Sequence, residues 1–143
     1  MLNIPDLDKF ISNFILCKTW EEKYLYIIEL GEYIFFLPKN IRHNINLMQG
    51  CQSKIWIMIY INNKGKFIFL GDSNTSITRG LITIILIFYK NMNIFEIINY
   101  DINFFFDKLC IKHHLSQNRS YSLDIIIKNL IYKSSLYIKK ILI

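Results

Sequence analysis

Residues 55–61 read Ile-Trp-Ile-Met-Ile-Tyr-Ile, with a β-branched side chain at every second place. A period of two puts Ile55, Ile57, Ile59 and Ile61 on one side of a strand and Trp56, Met58 and Tyr60 on the other. The spacing predicts a strand over about 53–62. Asn63, Lys64 and Gly65 supply a turn, and 66–70 returns as the second arm of an antiparallel hairpin. Gly71-Asp72-Ser73-Asn74 then closes the sheet. A single hairpin is marginal by itself and needs other elements packed against it.

The flanking segments supply those elements, because their apolar residues follow the helical period instead. Pro5 and Asp6 open a helix over 7–16 with Leu7, Phe10, Ile11, Phe14 and Ile15 on one stripe. Thr19, with Glu22 three residues on, reads as a capping box. The helix it starts runs to about residue 35, with Trp20, Tyr24, Ile27, Ile28, Gly31 and Ile34 in line, and Pro38 stops it. Residues 39–49 are polar and Asn-rich, which predicts an extended loop with a short strand near Leu47. After the hairpin, Asn74, Thr75 or Ser76 caps an apolar helix ending near Tyr89. Shorter helices follow at 94–99 and 103–109, separated by Asp101. A last long helix over about 121–141 carries Leu123, Ile126, Ile127, Leu130 and Ile131 at core spacing. The expected class is α+β, a small antiparallel sheet with helices packed on one face, in one domain over 1–143.

Composition closes off several function classes. The chain has 143 residues, 52% of them hydrophobic and 20% charged, which excludes intrinsic disorder. The apolar run 81–89 is about half the roughly 18 residues that a membrane-spanning helix requires, so it reads as a buried core helix. The first residues have no basic segment followed by a long apolar stretch, so no targeting segment and no membrane partner are expected. The net charge of +6 allows a nucleic-acid module. The Ile, Asn, Lys and Phe excess is equally the mark of AT-rich coding, the basic residues are scattered, and no RNA-binding motif is present. No nucleic-acid partner is therefore expected.

Chemistry centres on the thiols. Cys17, Cys51 and Cys110 are odd in number and widely spaced without a C-x-x-C, which points to free thiols in a reducing cytoplasm. Cys17 sits in an apolar stretch and reads as packing, while Cys110 stays open. Cys51 follows Gly50 at the end of the polar loop, where the backbone can bend sharply and present a thiol to a partner. Its bland alternative is a small buried hydrophobe. Cys51 with Cys110, His113 and His114 invites a zinc reading, but tetrahedral sites usually combine two spaced pairs, so no metal is expected. A Cys51–His114 hydrolase pair would lack an oxyanion loop and an orienting acid. No phosphate-binding Gly-rich loop occurs, and Glu21-Glu22 is a helix first turn.

The segment Asn46-Leu47-Met48-Gln49-Gly50-Cys51-Gln52-Ser53-Lys54-Ile55-Trp56 closely resembles the signature of the SufE family of cysteine desulfuration proteins. The stretch from Trp20 to Gly31 resembles that family's first block. Gly71-Asp72-Ser73, Arg79-Gly80-Leu81-Ile82, and His114-Leu115-Ser116 with Arg119 resemble later ones in order and spacing. The family usually has Gly where this chain has Ser122, and often Pro where it has Gln117. The resemblance implies the fold of iron–sulfur scaffold proteins and a sulfur shuttle rather than an enzyme. Cys51 would take persulfide sulfur from a pyridoxal-phosphate cysteine desulfurase of the SufS type, stimulate it, and pass sulfur to a SufBCD-type scaffold complex. The family needs no cofactor of its own, and a homodimer is left open. Gln49, Gly50, Gln52, Ser53, Asp72, Ser73, His114 and Arg119 fall in the matching blocks as supporting or partner-binding positions. Thiolate is the attacking form, so the N–H groups of Gly50 to Ser53 and the Arg119 guanidinium are candidate helpers, and Lys54 is expected to point off the strand. The resemblance also implies a cysteine shielded at rest, with Met48, Trp56 and the 81–89 helix as candidate walls. A zinc-holding scaffold and a basic nucleic-acid module are the alternatives.

Overall fold

The computed structural model describes residues 4–36, 39–64 and 66–142. Helix α1 (Leu7–Leu16) starts at Asp6, whose carboxylate accepts from the Lys9 N–H. Helix α2 (Trp20–Leu30) is capped by the Thr19 hydroxyl, which accepts from the Glu22 N–H. The Glu22 carboxylate reaches back to the N–H of Lys18 rather than Thr19, so the expected capping box closes one residue early. The helix then tightens into a 3₁₀ segment over Gly31–Phe36. Pro38 and Gly65, expected as helix stop and turn residue, lie outside the described residues.

Segment 39–46 corrects the expectation of an extended loop: it winds into two short 3₁₀ turns, Lys39–Arg42 and Asn44–Asn46. Side chains replace missing backbone partners there. His43 Nδ1 accepts from the Ile45 N–H, and Asn46 donates to the Ile41 carbonyl. The short strand near Leu47 is a single antiparallel bridge to Trp56.

Strands β1 (Ile55–Ile61) and β2 (Phe67–Ser73) pair antiparallel, from Ile61 with Phe67 to Ile55 with Ser73. Gly71, Asp72 and Ser73, expected to close the sheet, are part of β2. Ile55, Ile57, Ile59, Phe69 and Gly71 are buried and form the face met by helix α3 (Ser76–Tyr89). A Cβ on Gly71 would lie 2.9 Å from Ile82 of α3 and 3.0 Å from Ile57, so glycine allows the helix to sit this close. Trp56 is buried on the opposite face under the Arg42 guanidinium, 4.9 Å from its ring.

Helix α3 starts after Thr75, whose hydroxyl bonds that of Thr78. Nearly its whole surface is buried, as expected for the 81–89 run. Helices α4 (Ile94–Asn99) and α5 (Ile102–Lys108) follow, capped by Asn93 in a capping box with Glu96 and by Asp101. Helix α6 (Gln117–Leu142) begins four residues before the expected start. The cause is Ser116: its hydroxyl accepts from the Arg119 N–H and its carbonyl from the Ser120 N–H. Leu123, Ile126, Ile127 and Leu130 are buried in the core, and the Tyr137 hydroxyl donates to the Ile59 carbonyl of β1. The mixed α+β class therefore holds.

Candidate functional site

Cys51 stands in the loop between the Leu47–Trp56 bridge and β1. Gly50 before it has φ +83, the left-handed region that side chains disfavour, and this residue turns the chain. Gln49, Gly50 and Gln52 are exposed, whereas Cys51 is half-buried against the core that includes Met48. The loop carries its thiol inward while its neighbours face water.

One helix holds two consecutive loop residues. Asn118 donates its side-chain amide to Gln52 Oε1. Arg119 Nη1 donates to Ser53 Oγ at 2.9 Å. Ser122, only 3% exposed, lies one turn beyond Asn118 on the same helix. Positions 118 and 122 are one turn apart and 119 lies beside them, so the early start of α6 makes these contacts one helical stripe.

The other end of the loop is tied to β2. The Ser73 hydroxyl donates to the Lys54 carbonyl at 2.8 Å, and the Lys54 N–H donates to Asn74 Oδ1 at 3.1 Å. Asp72 accepts from Arg42 Nε and from the Ser73 N–H, both at 2.7 Å. Arg79 Nη1 donates to the Ser73 carbonyl. Burial pushes the Cys51 thiol above its ordinary range, because the low-dielectric surroundings disfavour the thiolate; the Ser122 hydrogen bond pulls the other way.

The sequence matches the family described as SufE, Fe-S metabolism associated domain, over residues 8–133. The chain belongs to the SufE family. Its place is thereby in iron–sulfur metabolism, whose known SufE members are accessory proteins.

In this SufE-family chain the positions named from the sequence separate into groups. Gln49, Gly50, Gln52 and Ser53 share the loop with Cys51, and Arg119 reaches it through Ser53 rather than through the sulfur. Asp72 and Ser73 brace the loop's far end. His114 is exposed and stacks on Trp20, ring centroids 3.6 Å apart, at the start of α2. Cys17 is half-buried, its thiol donating to the Asn13 carbonyl. Cys110 is exposed, at φ 55 just past the end of α5. No group of three or more His, Cys, Asp or Glu converges among the described residues, so Cys51, Cys110, His113 and His114 do not assemble the ligand set of the zinc reading. No described helix is long and apolar enough to cross a membrane. A cleft of about 660 Å³ between α1 and α2, lined by Lys9, Asn13, Tyr26, Glu29 and Tyr33 among others, includes none of the loop residues.

Sequence reasoning missed Asn118 as a contact and treated Ser122 only as a departure from the family pattern. The available signal was their spacing: both share a helical stripe with Arg119, provided that the helix starts at Gln117. Ser116-x-x-Arg119 lacks the acidic residue that would have announced that start.

Proposed function

We propose that this SufE-family protein is a sulfur acceptor and shuttle in iron–sulfur cluster assembly, with Cys51 as the accepting group. The observation that carries this reading is a half-buried thiol that follows a left-handed glycine, in a loop whose Gln49, Gly50 and Gln52 are exposed around it. A persulfide is readily lost to reductants, so a sulfur carrier benefits from a thiol that is reachable but not open to solvent.

In the reaction, Cys51 thiolate attacks the outer sulfur of a persulfide on the donor's cysteine. A sulfur–sulfur bond forms at Cys51 as the donor's own breaks, and the electron pair leaves with the donor's inner sulfur as thiolate. The exchange is redox-neutral and needs no outside oxidant. The donor is a pyridoxal-phosphate cysteine desulfurase of the SufS type, which carries that cofactor itself, and the recipient is a SufBCD-type scaffold complex, in the cytoplasm. Gln49, Gly50 and Gln52 form the loop surface offered to the donor, and Ser53, buried beneath it, supports the loop. Arg119, Asp72 and Ser73 position the loop, and His114 belongs to the partner-facing surface beyond it.

Peptide mass spectrometry after incubation with a cysteine desulfurase and cysteine, without reductant, tests the reading. The expected result is a gain of one sulfur atom confined to the Cys51 peptide and absent without the desulfurase. Cys51→Ser should remove the gain and leave the melting temperature within a few degrees. Sulfur acceptance by the Ser variant at the normal rate would overturn the assignment.

A further inference from the structure

The loop that carries Cys51 leaves the 3₁₀ turns over 39–46 and returns into β1. Those turns hydrogen-bond within themselves, so side chains tie the segment to the rest of the molecule. Ile41 is buried and fixes how deep the segment sits, while Arg42 beside it reaches across to both strands. Its Nε donates to Asp72 Oδ2 at 2.7 Å, its Nη2 reaches the Ser73 carbonyl at 3.4 Å, and its face lies over the Trp56 ring, 4.9 Å from the centroid. A planar guanidinium that bonds along its edge and stacks on its face accepts one orientation, unlike a lysine ammonium. Ser73 is also the residue whose hydroxyl holds the Lys54 carbonyl on the outgoing side of the loop. Both sides of the loop therefore meet at the same two residues of β2.

We propose that Arg42 is a positioning residue for Cys51: it clasps the neck of the loop and so keeps the thiol half-buried. This rests on Cys51 being the accepting thiol and adds what holds that thiol at rest. Between the neck and the α6 contacts at Gln52 and Ser53, the chain turns at Gly50. A glycine has no side chain to hold such a turn and adopts other backbone conformations as readily. The direction from which the chain enters Gly50 then decides which way Cys51 faces, and Arg42 sets that direction. The ion pair is screened in part, Arg42 being 44% and Asp72 15% exposed, so the clasp holds the loop without locking it.

The test is alkylation of the full chain by iodoacetamide at one pH, with the rate read separately at the Cys51, Cys17 and Cys110 peptides. Arg42→Ala should speed alkylation of Cys51 about fivefold, the factor that corresponds to about 1 kcal/mol of lost ion pairing. Half-buried Cys17 and exposed Cys110 should keep their rates, which separates opening of the loop from general loosening. Asp72→Asn removes the charge but keeps an acceptor for the Ser73 N–H. It should also speed Cys51, and the double variant should be no faster than Arg42→Ala alone. Asp72→Asn carries the same comparison if Arg42→Ala folds poorly. An unchanged Cys51 rate in a folded variant overturns the proposal, as does equal acceleration at Cys17 or two effects that multiply in the double variant. The assay contains no desulfurase, so a wild-type chain that gains no sulfur at Cys51 would overturn the acceptor reading separately.

Discussion

At the residue scale, side chains of α6 and β2 hold the loop that carries Cys51. Arg119 is one of them. Its bond to Ser53 Oγ is partly solvent-exposed, so losing it should cost about 1 kcal/mol of stability at most. Loop geometry depends on it more heavily, because Ser53 is buried and lies two residues from the sulfur. Arg119→Ala should therefore slow sulfur acceptance severalfold while the melting temperature moves by only a few degrees. Thermal melts beside single-turnover sulfur transfer would check this. A large melting loss with normal transfer would make Arg119 a purely structural residue.

At the element scale, the crossing of α2 and α3 is set by one missing methyl group. A Cβ on Gly80 would lie 2.0 Å from the Ile27 carbonyl oxygen and 2.6 Å from the Ile27 carbonyl carbon. Backbone atoms cannot yield as a side-chain end can. Alanine would bring about 1 kcal/mol of helix propensity, against roughly 3 kcal/mol or more for forcing the helices apart. Gly80→Ala should therefore destabilise the protein, seen as a lower urea midpoint. A higher midpoint would mean that the two helices part without cost. The placing of α6 is decided at the same scale. The four residues before the expected start are helical because Ser116 caps them, and that extra turn brings Asn118 and Arg119 to Gln52 and Ser53.

At the scale of the whole molecule, a two-stranded sheet is stable only through the helices on it. Helix α3 lies against β2, α2 and the 3₁₀ segment after α2, with Leu81, Ile82, Ile84 and Ile85 essentially inaccessible to solvent. Its backbone amides should be the slowest to exchange with deuterated water, at the rate of global unfolding. Those of the 3₁₀ turns over 39–46 should exchange faster through local opening. Hydrogen-exchange mass spectrometry resolves the two segments, and equal protection would contradict this ordering.

Elements whose identity depends on their own residues were legible in the sequence. The period-two run of β1 produced a strand, the helical stripes of α1, α3 and α4 produced helices close to the expected limits, and Gly50-Cys51 marked the turn. Each of these is a local consequence of side-chain spacing and backbone freedom. Segment 39–46 escaped because His43 and Asn46 satisfy its backbone through side chains, and such bonds have no period. What surrounds the sulfur was decided only by the tertiary structure. Ser53 and Arg119 are 66 residues apart, and nothing in either segment specifies the other. Packing of α6 over β1 brings them together and turns Ser122 from a departure from the family pattern into the neighbour of the thiol.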